Sequence, residues 1–466
     1  MRYISTRGQA PALGFEAATL TGLAADGGLY VPEAWPTLSR EDIEALASLS
    51  YAETAARILA PFVGDALSPE ELRGLTEAAY GRFDHAAVTP LVQLDSRHWL
   101  LELFHGPTLA FKDVALQLLG LLFERFLSGG AQHLTIVGAT SGDTGSAAIE
   151  AVANRAHVDI FMLHPKGRVS EVQRRQMTTV DAPNVHNIAI EGDFDQAQAL
   201  VKRMFGDRDF AGRFRLSAVN SINWARLAAQ VVYYFYAAVR LGAPGRPIAF
   251  AVPTGNFGDV FAGYVAKRMG LPVARLIVAT NVNDILHRAL AEGDYSAGAV
   301  TPTAAPSMDI QVSSNFERLL FDLHGRDADA LAAAMRGFET ERRMRLPQPL
   351  RDAAARDFAS VRIDHESMIA AMRWAHQSAG QVIDPHSAIG LAAARAADLP
   401  GDIPVVTLAT AHPAKFGDAV EQAVGVRPGL AERFAGLMDR PERCAMLPAS
   451  FEAVTAWIAE RATPAA

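Results

Sequence analysis

Apolar residues change their spacing near residue 91. Before that point, 40–59 carries them at helical intervals, and 68–82 does so behind a Ser-Pro-Glu-Glu start, so both predict helices. After it, short β-branched or apolar runs at 99–104, 134–137, 160–163, 185–190, 248–252, 275–279 and 405–408 alternate with longer helical stretches. Strands alternating with helices predict an α/β fold with largely parallel sheets covered on both faces. A span of roughly 375 residues exceeds one comfortable core, so two α/β lobes are expected. The expected division is a mainly helical N-terminal domain over 1–90, a smaller lobe over 91–230 and a larger lobe over 231–466. An amphipathic helix within 447–466 would dock at the end of the chain, and the charged, Ala-rich stretch 325–349 reads as a helical insertion or surface arm.

Composition narrows the classes of function. Half of the 466 residues are hydrophobic and the net charge is only −8, which argues against disorder. Acidic residues outnumber basic ones, 51 to 43, and no Lys/Arg run stands out, so neither nucleic acid nor an anionic membrane is an expected partner. The one cysteine, Cys444, excludes an intrachain disulfide or a cysteine-rich metal site. The opening MRYISTRGQA lacks the apolar core of a secretory signal, and no apolar stretch reaches the ~20 residues that span a bilayer. A soluble cytoplasmic protein, monomer or homodimer, is the expectation. Only five of the basic residues are lysines, at 112, 166, 202, 267 and 415. A lysine, unlike an arginine, can lose its proton and act as a nucleophile.

In open α/β sheets ligands bind beyond the carboxyl ends of the strands. After 134–137 comes Gly138-Ala-Thr-Ser-Gly-Asp-Thr-Gly145, opening a helix, and after 248–252 comes Pro253-Thr-Gly-Asn-Phe-Gly-Asp259, opening another. Both offer free N–H groups and a positive helix end to an anion, or are plain strand-to-helix turns that need glycine. Neither has Rossmann or Walker spacing. After 99–104 comes His105-Gly-Pro-Thr-Leu-Ala-Phe-Lys112-Asp113, where an apolar setting lowers the amine's pKa. Such a lysine either forms a covalent adduct with a carbonyl or pairs with Asp113 at a helix start. Asn220-Ser-Ile-Asn-Trp-Ala-Arg226 reads both as a clamp for an oxyanion and as a helix start capped by Asn220 or Ser221. His412 and Lys415, in Ala409-Thr-Ala-His-Pro-Ala-Lys415, read as surface or core-edge residues.

Together these segments resemble the threonine synthase family, in its longer form with an extra N-terminal domain. The resemblance begins with Ala25-Asp-Gly-Gly-Leu-Tyr-Val-Pro-Glu33 and continues in order through 105–113, 138–145, 220–226, 254–259, 280–286, 313–319, 384–388 and 410–416. It implies fold type II of the enzymes that use pyridoxal 5′-phosphate. Lys112 matches the family's Schiff-base lysine and general base. Gly255, Asn256, Phe257, Gly258 and Asp259 match the loop that holds the cofactor's phosphate, and Thr410 the hydroxyl facing the pyridine nitrogen. Thr140 and Ser141 match the grip on the substrate α-carboxylate and Thr144 that on the substrate phosphate, with Asn220, Ser221 and Arg226 at the same phosphate. Asp143 stands where the wider fold commonly has asparagine, and its role stays open.

The reaction so implied is O-phospho-L-homoserine plus water giving L-threonine and phosphate, by γ-elimination and β-addition of water. It needs two anion sites, and two glycine-rich loops with the Arg226 cluster meet that need. The rival readings are a threonine or serine dehydratase, or a cysteine-synthase-like enzyme, of the same fold, whose substrates lack a distal phosphate. A non-catalytic protein of this fold that binds a phosphorylated ligand is another, and a nucleotide-binding protein a third. No metal is implied, because the thirteen histidines are scattered and no pair has His-Glu-x-x-His spacing.

Overall fold

The computed structural model describes residues 1–129 and 132–465. Two sheets dominate. The larger has six strands in the order Phe358–Arg362, Val273–Thr280, Ile248–Pro253, Val405–Ala409, His98–Glu102 and Leu91–Gln93. All its pairings are parallel except the outermost, Leu91–Gln93 against His98–Glu102. The smaller has five parallel strands in the order Ala445–Pro448, Val185–Glu191, Val158–Pro165, Leu134–Ala139 and Leu216–Ser217. The seven expected strand runs are all strands, as β-branched runs bounded by turn residues should be.

Sheet membership cuts across the division expected at residue 230. Leu91–Gln93 and His98–Glu102 belong to the sheet of the C-terminal half, and Ala445–Pro448 crosses back to the smaller sheet. Pairing joins strands hundreds of residues apart, so no local window of sequence carries it. The N-terminal 80 residues do not form a separate core either. Trp224 packs its ring 5.9 Å from Tyr3, 6.0 Å from Trp35 and 5.7 Å from Phe62, in one cluster that runs on into both sheets.

Local chemistry explains the other departures. The helical stretch over 40–59 is broken into Arg40–Ala45, a short 3-10 turn and Tyr51–Val63, because Ser50 and Glu53 form a capping box that starts a new helix. The arm expected over 325–349 is docked. Its helix Ala328–Glu341 buries Leu331 and Phe338, the latter 4.9 Å from Tyr295, and Arg343–Arg345 then pairs with Asp294–Ser296. The terminal helix is Phe451–Ala459, and Ala466 lies outside the described residues. Among the described residues no helix is long and apolar enough to cross a membrane.

Three helices position the chemistry. Trp224–Arg240 is buried on every side from Trp224 to Val239, which explains its nearly continuous apolar sequence. Lys112–Leu127 packs against it and against Asp143–Val152. The last two approach so closely that a Cβ on Gly120 would lie 2.2 Å from the carbonyl oxygen of Ala151.

That contact yields a stability prediction. Gly120→Ala gains up to about 1 kcal/mol of helix propensity. The backbone carbonyl cannot swing away as a side chain can, and overpacking of this kind costs about 1–3 kcal/mol or more. A net loss is expected in urea unfolding; an unchanged or raised midpoint would show that the two helices can separate freely.

Candidate active site

The loop that delivers Lys112 is stitched to the end of the neighbouring strand. Leu103 N donates to Ala409 O at 3.0 Å, Phe111 N to Thr410 O at 2.8 Å, and His412 N to Leu109 O at 3.0 Å. Leu109 takes a positive φ of 61° to make the turn. Lys112 then begins its helix with a buried side chain, its Nζ 4.6 Å from the centre of the Phe111 ring. Burial pushes the amine down; Asp143 opposes the shift, and the charges of Arg226 and Lys415 add to it. Asp113 is not its partner. That carboxylate accepts from Thr108 N at 2.7 Å and Thr108 Oγ1 at 2.9 Å, and burial raises it to about 6 against those donors.

The partner is Asp143, at the first position of its helix, with Oδ2 3.5 Å from Lys112 Nζ. Its other oxygen accepts from Lys415 Nζ at 2.7 Å and Gln173 Nε2 at 2.8 Å. Burial alone would raise Asp143. The charges of Lys415 and Lys112, with the donors from Lys415 and Gln173, hold it far below the ordinary carboxylate range. Lys415 was expected at the surface or the core edge. It is instead fully buried, because Asp143 and the Thr108 carbonyl, 2.8 Å from its Nζ, compensate its charge.

The loop before Asp143 is held by Thr140, whose Oγ1 accepts from Gly142 N at 3.0 Å and Gly145 N at 2.9 Å. Both lone pairs are thus engaged and the O–H remains to donate. Gly142 has φ 142°, and a Cβ on Gly145 would lie 2.5 Å from Thr140 Cγ2, so neither tolerates a side chain. Ser141 and Thr144 are partly exposed beside it.

The second glycine loop is anchored from behind. Gly255 O accepts from Ser313 Oγ at 2.8 Å, and Asn256 O from the Asn315 amide and Nδ2, both at 3.1 Å. Among the described residues, the amides from Gly255 to Asp259 donate to no protein acceptor. Phe257 sits in the left-handed region at φ 63°, its ring 5.2 Å from Phe316 and 5.6 Å from Phe358. A Cβ on Gly255 would lie 2.7 Å from Ser307 O. Open amides at the start of a helix, with no room for a side chain at Gly255, can cradle a phosphate. The Asp259 side chain, by contrast, is turned onto Tyr233 and Tyr234, whose hydroxyls both donate to it, and burial lifts it to about 6. Only its amide faces the loop's task, since a carboxylate there would repel the anion.

Arg226 is buried, with Nη1 donating to Val219 O at 2.9 Å and Nε without a partner. Among the described residues no carboxylate lies within ion-pair distance of it, and burial lowers it to about 10. A desolvated guanidinium with an open donor is a site for an anion. The cap of its helix is Asn223, not Asn220 or Ser221: Asn223 Oδ1 accepts from Ala225 N at 3.0 Å. Asn220 is exposed, whereas Ser221 reaches the phosphate loop, its Cβ 3.6 Å from where a Cβ on Gly258 would stand.

Thr410 is fixed through its backbone, with its amide 3.1 Å from Ser387 Oγ. Ser387 donates in turn to Asp384, whose other oxygen is 2.7 Å from His386 Nδ1. His386 Nε2 accepts from Ser307 N at 3.3 Å, which puts the ring proton on Nδ1. The chain of contacts ties Thr410 to the segment under Gly255. Arg318, also missed in the sequence, does the same for the N-terminal region. Its guanidinium donates to Tyr30 O at 3.1 and 3.0 Å, to Ile222 O at 2.5 Å and to Asn315 Oδ1. Burial lowers it to about 9. One side chain thereby joins the N-terminal residues to both anion-binding segments, and Asn223 Nδ2 adds a bond of 2.8 Å to Thr19 O.

Comparison with known proteins agrees with this geometry. Family models described as threonine synthase N terminus, pyridoxal-phosphate dependent enzyme, and threonine synthase, C-terminal, match residues 2–80, 83–411 and 387–458. The chain is 52% identical to a threonine synthase of Pseudomonas aeruginosa over 99% of its length and 98% of the relative's. It is 42% identical to that of Saccharomyces cerevisiae over 91% of its length and 89% of the relative's. A crystal structure of threonine synthase from Brucella melitensis with pyridoxal phosphate bound superposes with a TM-score of 0.96 at 51% identity, covering 99% of each chain. The yeast enzyme's structure gives 0.93 at 38% identity, covering 99% of this chain and 98% of that one. A buried lysine, a loop of open amides, a buried guanidinium without a carboxylate and these relatives agree: the chain belongs to the threonine synthase family of pyridoxal-phosphate dependent enzymes.

Proposed function

We propose that the chain converts O-phospho-L-homoserine and water into L-threonine and phosphate, in the cytoplasm. The observation that carries this reading is the buried Arg226, which has no carboxylate partner and lies close enough to Lys112 for its charge to depress that amine. A substrate without a distal phosphate, as in a dehydratase, would leave that guanidinium buried and unpaired.

Residue roles follow from the chemistry of each group. Lys112, depressed toward its neutral form, would hold the cofactor at its aldehyde carbon and, once freed of it, would be the base that takes the substrate's Cα proton. Pyridoxal phosphate, when bound, supplies an electron sink for the charge left on Cα. The amides of Gly255, Asn256, Phe257, Gly258 and Asp259 would hold its phosphate, and Thr410 would offer its ring nitrogen a hydroxyl without the charge of a carboxylate. Thr140 and Ser141 donate to the substrate's α-carboxylate. Thr144, Ser221 and Arg226 hold its phosphate, with the exposed Asn220 at the rim. Lys112 is also the base for the Cβ proton whose loss expels the phosphate. One of the two protons is returned to Cγ, which becomes the methyl group; water then places its hydroxyl on Cβ and its proton on the departed phosphate, and the second proton returns to Cα, so one phosphate leaves for each water taken up.

The decisive assay is phosphate release from O-phosphohomoserine against ammonia release from threonine. The first is expected to dominate; dominance of the second would replace this reading with a dehydratase. Borohydride treatment of the loaded chain should fix the cofactor's mass onto Lys112, and Lys112→Ala should leave no measurable turnover; a tag on another lysine overturns the assignment. Arg226→Ala should lower kcat/KM for the phosphorylated substrate by about 2–4 kcal/mol, mostly through KM, since it removes the charged partner of a buried anion. Unchanged constants would take Arg226 out of the site.

A further inference from the structure

No step of the proposed reaction uses Lys415, yet it is one of two buried lysines in a chain whose basic residues are otherwise mostly arginine. It arrives from the larger sheet, in the 3-10 turn Pro413–Phe416 after Val405–Ala409. Asp143 arrives from the smaller sheet, after Leu134–Ala139. Their 2.7 Å ion pair therefore bridges the two sheets beneath Lys112, whose nitrogen is 3.5 Å from the other carboxylate oxygen. The remaining charged groups around Lys112 are accounted for. Asp113, on its own helix, is turned onto Thr108. Asp259, from the helix Gly258–Arg268, is bound by Tyr233 and Tyr234. Arg226, from Trp224–Arg240, is a cation without a carboxylate partner. Among the described residues Asp143 is thus the one carboxylate within ion-pair distance of Lys112, and Lys415 and Gln173 share it.

We propose that Lys415 is a positioning residue: it pins Asp143 across the sheets and takes up enough of that carboxylate's charge to leave Lys112 available as a neutral amine. The proposal rests on Lys112 as the cofactor-holding lysine. Its sign is fixed by electrostatics. Removing the Lys415 charge favours the protonated form of Lys112, and removing the Asp143 charge favours the neutral form.

The test is the rate at which cofactor-free, full-length chain gains the absorbance of covalently held pyridoxal phosphate, followed against pH. Capture needs the neutral amine, so its pH midpoint reports on Lys112. Lys415→Met should raise that midpoint by at least about one pH unit, roughly tenfold slower capture at pH 7. Lys415→Arg, which keeps the charge, should stay near wild type, and Asp143→Asn should lower the midpoint. The Asp143→Asn/Lys415→Met double variant removes a neutral pair and leaves no uncompensated charge, so it should fold even where the single variants do not. Its midpoint should fall between those of wild type and Asp143→Asn, because Asp143, in contact with Lys112, acts on it more strongly than Lys415 does, and removing Lys415 restores part of the shift. A midpoint unmoved or lowered by Lys415→Met, or a double variant whose midpoint is no higher than that of Asp143→Asn, overturns the role of Lys415. Failure of the wild-type chain to gain the absorbance, or a borohydride tag elsewhere, overturns the Lys112 assignment instead.

Discussion

Buried positive charge is the constraint around which this structure is arranged. Lys112, Lys415 and Arg226 share the space between the two sheets with one strongly ionised carboxylate, Asp143. Taking ions out of water costs several kcal/mol each unless partners replace the lost hydration. Among the described residues only Asp143 and the carbonyls of Thr108 and Val219 do so, and Arg226 Nε is left open. The imbalance has the sign that two phosphates and a carboxylate would correct. Ligands that bind only the folded chain stabilise it in proportion to how far their concentration exceeds Kd. The site is therefore less stable alone than occupied, which is the ordinary condition of a site built for binding.

Such an arrangement persists only if the backbone around it cannot relax. Both glycine loops are fixed from behind, by Thr140 in one and by Ser313 and Asn315 in the other, so their amides stay aimed forward. The segment carrying Lys112 is bonded to 409–412, which also bears Thr410. Arg318 binds Tyr30, Ile222 and Asn315 at once, and Glu317 beside it accepts from Thr6 and Arg7. The N-terminal region is in this sense a wall of the site. Its loss would free the loop that carries Ser221 and unseat the cap of the helix that carries Arg226.

What the sequence revealed follows from how local each signal is. Strand runs, glycine-rich turns and the apolar surroundings of Lys112 are properties of a few neighbouring residues, and all three are seen in the structure. The resemblance to threonine synthases brought the family to light. Features that depend on distant partners were hidden. The return of Ala445–Pro448 to the smaller sheet, the ionic bond of Lys415 and the three-way grip of Arg318 each join segments more than 90 residues apart. Asp259 shows the same limit: its place in the loop motif was visible, but not that Tyr233 and Tyr234, on another helix, hold its side chain. The scarcity of lysine was a usable clue to Lys415, since a chain that writes arginine by habit needs a reason for the exception.

That reason also separates the three cations by their tasks. A guanidinium stays charged in nearly any setting and offers a planar fork, which suits Arg226 facing a phosphate. An ammonium is a compact point charge with three donors, which suits Lys415 between Asp143 and the Thr108 carbonyl, at 2.7 and 2.8 Å. Only a lysine can surrender its proton, and Lys112 alone of the three has both the depressed amine and the position at a helix start, stitched to the strand end that carries Thr410. Exchanging Lys112 with Arg226 would preserve the net charge of the site and defeat its chemistry, so residue type, rather than charge alone, is what the fold places at these two positions.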